Sequence, residues 1–295
     1  MSLVFRTQNN GSLYLQENQV LVWEQNGYKF GLRVFADETP ENPRTAYDNI
    51  ATMLCAHPRY SLGDKSNDKD CVEWVQRTLR DDISNKTLLE NIKSGRIAGI
   101  DADDLTDEDG APLDDDTLLD MLDDKIQDDI RTGLLCAGPE LVWLPLWLYD
   151  HSGITMSCGD RKYPYNDRWD SGCVGFIVVT RKTMLEHFPD LTAENWHDKA
   201  VEVLKSEVTV YDAYISGEMC GFELKSIEES DYSRMSRYSD WDDEESGYGF
   251  IGANIMTNGM IDTVGNGLKE ALNNQTYELK DLKTRTVMIQ YFEDL

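Results

Sequence analysis

Through residues 3–36 apolar and polar positions alternate, as in "LYLQENQVLVWEQNGYKFGLRVF", and Asn26-Gly27 separates two such runs. A period of two is the signature of a strand with one buried face, and an Asn-Gly pair supplies the two positive-φ positions that a tight hairpin needs. The pattern predicts an N-terminal antiparallel meander. "DETPENPR" (37–44) is a turn-rich break, after which a helix is expected from Thr45 to about His57. Residues 70–97 repeat apolar side chains at helical intervals through Val72, Trp74, Val75, Leu79 and Ile83, with Gly95 or Gly99 as the stop.

Further along, "LVWLPLWLYD" (141–150) reads as a strand that continues into "HSGITMS", and "CVGFIVVT" (173–180) as a fully buried strand. Thr192, Glu194 and Asn195 precede a long apolar-faced stretch to Gly217, a helix with a capped start. "CGFELKS" then returns as a strand. The polar run 226–246 reads as a long exposed loop whose aromatics suit docking. The remainder predicts a strand (247–256), a helix (260–273) and a strand (284–292). Strands and helices in irregular order give an α+β class: N-terminal antiparallel strands, a mixed central sheet with flanking helices, and an acidic helical insert. The corresponding division is 1–100, 101–132 and 133–295.

That insert changes the picture most. "DADDLTDEDGAPLDDDTLLDMLDDKIQDD" (101–129) holds 14 acids and one base, Lys125, and so carries −13 of the chain's formal −27. Its first part (101–115) reads as a loop and its second (116–132) as a helix. At 100° per residue Leu118, Leu119, Leu122, Ile126 and Ile130 share one arc, and Asp116, Asp120, Asp123, Asp124 and Asp128 the opposite one. The six acids from Asp116 to Asp129 span about 20 Å of helix. That is one charge per roughly 3.3 Å, against about 3.4 Å between phosphates on one DNA strand. Like charges four apart cost a few tenths of a kcal/mol each, a penalty that a basic partner would relieve. A solvated face is the plainer alternative.

Over the whole chain 55 acids face 28 bases. Such a charge repels nucleic acid and anionic lipid and attracts basic surfaces. A direct nucleic-acid or membrane partner is not expected. No apolar run approaches a membrane span, and "MSLVFRTQNN" has neither the basic start nor the apolar core of a signal peptide. A cytoplasmic location is expected.

Catalytic and metal motifs are weak. An EF-hand with Gly110 at position six would place Asp107, Asp109 and Asp116 at three, five and twelve, but position one falls on Leu105 and Pro112 interrupts the loop; no metal or cofactor is expected. Asp150, His151 and Ser152 are consecutive and cannot form a triad among themselves, because successive side chains diverge. A hydrolase would need Cys55 or His57 beside His151; a histidine closing a turn is the alternative. His187 and His197 lack ligand spacing.

Four blocks, "ENPRTAYDNIATMLCAHPRYSLGD" (41–64), "LVWLPLWLYDHSGITMS" (141–157), "WDSGCVGFIVVT" (169–180) and "VTVYDAYISGEMCGFEL" (208–224), occur in this order. Together they resemble an uncharacterised family carried by phages, plasmids and conjugative elements of bacteria, in an antirestriction neighbourhood. The resemblance spans roughly residues 40–256. It implies a mobile-element protein and brings no catalytic residues with it.

With the charge, it implies a counter-defence protein in the host cytoplasm. Such a protein binds and inhibits a host anti-phage nuclease or restriction complex, of Gabija type for example, and blocks its DNA access by acidic mimicry or caging. The partner is then a host defence protein complex with a basic DNA-binding surface, and a homo-oligomer is an open alternative. Expected contact residues are Asp116, Asp120, Asp123, Asp124, Asp128, Tyr238, Trp241, Asp242 and Asp243, with none catalytic. A thiol- or metal-dependent hydrolase and an acidic phage accessory or structural protein are the competing classes.

Cys55, Cys71, Cys136, Cys158, Cys173 and Cys220 show no C-x-x-C pair, the usage of a reduced compartment. Thiol titration under denaturing, non-reducing conditions is therefore expected to count six; two or four would mean that disulfides hold the fold.

Overall fold

The computed structural model describes residues 13–15, 18–97, 99–132, 139–159, 169–233 and 237–282, with only the backbone described at 68 and 129–132. Among these, the chain runs β1 (Gln19–Gln25), β2 (Tyr28–Ala36), α1 (Pro43–Ala46), β3 (Thr52–Cys55), α2 (Asp68–Asp82) and α3 (Asn85–Lys93). Then come α4 (Asp115–Thr132), β4 (Leu141–Asp150), β5 (Ile154–Cys158), β6 (Ser171–Thr180), α5 (Arg181–His187) and α6 (Trp196–Ser216). The last elements are β7 (Met219–Glu228), β8 (Asp242–Ile251), α7 (Met260–Val264), α8 (Asn266–Asn273) and β9 (Tyr277–Asp281). The class is α+β.

Two compact units divide the chain, residues 1–41 with 216–295, and residues 42–215. This grouping differs from the 1–100, 101–132 and 133–295 division because strand pairing joins distant segments. β2 pairs with β7 over nine positions, drawing the N-terminal meander to the C-terminal third. β3 pairs with β6 and ties residues 52–55 to the middle of the chain. The sheet expected to be mixed is two sheets, and their strand pairings are all antiparallel. No helix of the described residues is long and apolar enough to cross a membrane.

In the 42–215 unit the sheet order is β3-β6-β4-β5, and alternation divides its side chains between two cores. Leu54, Phe176 and Val178 pack with α2, α3 and α4, including Val75, Leu79, Leu88, Ile92, Leu118 and Leu122. Met53, Cys55, Ile177 and Val179 point the other way, onto α6 through Trp196, Ala200, Leu204, Val208 and Tyr211. That helical stripe, spaced four, four, four and three, is the apolar face read from the sequence. The expected 70–97 helix is two, because Ser84 takes an extended backbone and accepts from the Thr87 N–H to start α3.

Arg44 fixes the edge of this unit. Its guanidinium, 8 % exposed, donates from Nε and Nη2 to Asp64 at 3.1 and 2.6 Å, and from Nη1 to Glu207 at 2.6 Å and Asn49 at 3.1 Å. Nη2 also reaches the Ala51 carbonyl at 2.7 Å. The second oxygen of Glu207 accepts from the N–H groups of Ile50 and Ala51, and Asp64 accepts from that of Met53. The helix expected over 45–57 is thereby corrected: it ends at Ala46 and residues 52–55 form β3. Donors at 50, 51 and 53 are held by carboxylates rather than by carbonyls four residues back, so a helix has no ladder to build on.

In the 1–41 and 216–295 unit the order is β8-β7-β2-β1-β9. Asn26 (φ 55°) and Gly27 (φ 80°) form the β1–β2 turn, both left-handed as the pair predicts. Leu21, Trp23, Leu32, Val34 and Phe222 bury one face under Ile255, Met260 and Leu268. Gly265 (φ 97°) breaks the expected 260–273 helix into α7 and α8. On the opposite face Val20 and Val22 lie under Tyr238 and Trp241. A Cβ at Gly31 would come within 2.8 Å of the Tyr238 ring and 2.9 Å of Trp241, so only glycine admits these rings. The strand expected over 247–256 begins earlier, at Asp242, and the one expected over 284–292 lies outside the described residues.

Replacing Arg44 by Met takes a buried cation from between two part-buried carboxylates, Asp64 and Glu207, and is expected to cost at least about 2 kcal/mol, whereas Lys182→Ala, at a pair whose lysine is half exposed, should change stability far less. Urea unfolding of the two variants checks the difference.

Candidate functional site

The acidic insert is built from its own loop upward. Ala102–Leu105 form one 3-10 turn, in which the Asp104 carboxylate accepts from the Asp101 N–H. Asp107, one of the acids that the EF-hand register would have used, instead accepts from the N–H groups of Asp109 (3.0 Å) and Ala111 (2.8 Å) within its own loop. Asp114 accepts from the Thr117 N–H at 2.8 Å and starts α4. That hydrogen bond holds the Asp114 carboxyl below its ordinary value. Among the described residues no three His, Cys, Asp or Glu side chains gather as a metal site.

α4 docks through Leu118, Leu119, Leu122 and Ile126, all buried against α2 and α3; the side chain of Ile130 lies outside the described residues. Asp116, Asp120, Asp124 and Asp128 are exposed along the opposite side. Asp116, Asp120 and Asp124 make no ion pair among the described residues. Asp123 departs from the expected set. It is half buried, takes the Arg80 guanidinium at 2.8 Å, and its carbonyl accepts from Gln76 at 3.1 Å, so it fastens α4 to α2. The outward ridge is thus four carboxylates at four-residue steps, about 6 Å apart along the axis.

Tyr238 and Trp241, expected as contact residues, are 5 % and 4 % exposed. The Tyr238 hydroxyl reaches the carbonyls of Gly31 (3.0 Å) and Glu223 (2.9 Å), and Lys280 lies 5.4 Å from the centre of the Trp241 ring. These aromatics close their own sheet and offer little side-chain surface to a partner. Asp242 and Asp243 are exposed on β8; Asp243 also holds Lys225 at 2.6 Å, which raises the lysine's pKa. Nothing in the polar run 226–246 announced that its acids belong to a strand, since β8 has no apolar alternation in its first half.

The hydrolase constellation does not assemble around a reactive thiol. Cys55 is fully buried and burial raises its pKa, which keeps it protonated. His151 pairs with Asp170 at 2.8 Å in the exposed β4–β5 turn. His57 accepts at Nδ1 from the N–H groups of Arg59 and Tyr60, both 3.2 Å, and stacks on the Tyr60 ring. Burial and then Arg59 lower its pKa. Asp150 takes Arg59 at 2.5 Å and the Tyr60 hydroxyl at 3.1 Å. These groups stitch the turns at one end of the sheet. His187 bonds the Thr183 carbonyl at 3.0 Å, and His197 stays exposed beside Asp198. Cys55, Cys71, Cys158, Cys173 and Cys220 form no disulfide among the described residues; Cys136 lies outside them.

A depressed carboxylate stabilises the folded state above its unfolded pKa, about 3.9, and that contribution is lost as pH falls through the lower folded value. Asp114→Asn keeps an acceptor at the helix start and removes the titration. Referenced to the intrinsic exchange rate at each pH, the protection of α4 amides is expected to fall less in the variant than in the wild type as pH drops from about 5 to about 3.

Comparison with family models, with curated proteins and with solved structures finds no match.

Proposed function

We propose that this is a counter-defence protein of a phage or mobile element, acting in the host cytoplasm by binding rather than by chemistry. Its partner is a host anti-phage nuclease or restriction complex, for which a Gabija-type assembly is one candidate. The protein covers the basic surface that the complex uses for DNA. The observation that carries this reading is the α4 ridge, where Asp116, Asp120, Asp124 and Asp128 face outward from a helix anchored by Leu118, Leu122 and Ile126. The anchor matters because a pre-ordered row of charges loses little entropy on binding.

With Asp123 withdrawn, ridge charges about 6 Å apart match alternate phosphates of a DNA strand, about 7 Å apart, rather than successive ones. That geometry supports long-range attraction to a phosphate-binding surface more than atom-by-atom mimicry. The net charge of −27 and the resemblance to mobile-element proteins support the same partner class. The reading requires no cofactor.

The test is a plating assay with a charge-only variant. The protein is expressed in hosts that each carry one defence system, and phage plating is scored. Rescue is expected on at least one host. Asp→Asn at 116, 120, 124 and 128 together keeps shape and removes four charges. The variant should fold normally and rescue poorly. Its association with the captured complex should slow on the order of tenfold at low salt, and lose much of its salt dependence. No rescue on any host, or equal rescue by the variant, rejects the reading.

A further inference from the structure

β8 is an edge strand, and its first five residues, Asp242–Ser246, are all exposed. No strand of the described residues pairs with its outer side. Beside it, on the side of the sheet bearing Arg33 and Phe35, runs an open groove of ≈ 780 Å³. Six acidic residues line it, from Asp37, Glu38, Glu223 and the run 243–245, with one guanidinium, Arg33; the Glu244 carboxylate accepts from the Ser226 hydroxyl. Lys225 satisfies Asp243 and Glu223, while Glu38 and Glu245 make no ion pair among the described residues.

The groove also has an apolar floor. Phe35 and Tyr248 meet edge to face with centroids 5.7 Å apart, and Tyr248 is 63 % exposed. A Cβ at Gly221 would come within 2.8 Å of the Phe35 ring, so the backbone beneath is shaped to let that ring lie down. Arg33 already sits 5.7 Å from the centre of the Phe35 ring, an internal example of the cation–aromatic contact that these walls favour.

We propose that the groove and the β8 edge together bind an extended segment of a partner protein carrying Arg or Lys at every second position. The segment adds as a strand to β8, its backbone satisfying the open N–H and C=O groups while alternate basic side chains enter the groove. An acidic edge repels a second copy of this chain, and an apolar strand would leave the carboxylates without a cation. A basic strand answers both. This site lies on a different unit from the α4 ridge and stands without that reading.

The probe is a fluorescent peptide of alternating Arg and Val, compared with one of alternating Glu and Val and with a proline-interrupted peptide of equal positive charge. The Arg peptide should bind, protect β8 amides from exchange, and lose at least tenfold in affinity with Tyr248→Ala or Glu245→Lys. It should bind the four-site α4 variant unchanged. Failure of the Arg peptide to bind overturns the proposal. So does equal binding of the proline-interrupted peptide, or affinity indifferent to Tyr248→Ala, because the edge would then be a solvated acidic surface and nothing more.

Discussion

A guanidinium cannot shed its charge on burial, so burying Arg44 commits everything around it. Its N–H groups demand acceptors, and the acceptors come from three places: the turn at Asn49–Ala51, the loop at Asp64, and Glu207 in the middle of α6. The second oxygen of Glu207 takes the N–H groups of Ile50 and Ala51 just before β3, and the Asp64 oxygen that accepts from Nη2 also takes that of Met53 within it. The start of β3, the loop after it and the helix on its outer face are thus set by one side chain. Once β3 is placed, its register on β6 sends Leu54 to one core and Met53 and Cys55 to the other. The acidic helix docks on the first of those cores. Its outward ridge therefore rests, through two layers of packing, on a buried ion cluster.

The same logic governs the rest of the charge. With 55 acids and 28 bases, each cation used internally leaves the surface more negative. Arg80 is spent on Asp123, Lys93 on Asp115, Lys182 on Asp82, and Lys225 on Asp243 and Glu223. Lys280 is buried against Tyr232 and Trp241, and desolvation lowers its pKa. The cations hold elements together while the surplus acids face water. The cost is self-repulsion among the surplus acids.

What was legible in the sequence followed period and turn chemistry. The hairpin at Asn26-Gly27, the buried strand around Ile177 and the long helix ending before Gly217 each had an unambiguous pattern and a local stop. β3 was hidden because four residues are too few for a period to declare itself, and its cause, Arg44 with Glu207, lies 163 residues apart in the chain. Asp123 looked equivalent to its neighbours on a helical wheel; only the position of Arg80 on α2 distinguishes it. The burial of Tyr238 and Trp241 was hidden for a related reason. A polar run with scattered aromatics reads as an exposed loop unless one knows that Gly31, more than 200 residues earlier, leaves room for two rings.

That last packing also shapes the surface beside it. On β2 the side chains at 31, 33 and 35 share one face. At Gly31 the face is sealed by Tyr238 and Trp241; at Arg33 and Phe35 it lines the open groove. The chain leaves the sealed part at Trp241 and turns directly into β8, so the residues that close one half of the face also deliver the strand that borders the other. Tyr238 and Trp241 are buried in this packing. They determine where β8 runs, and hence where its carboxylates and the Tyr248 ring stand open to solvent.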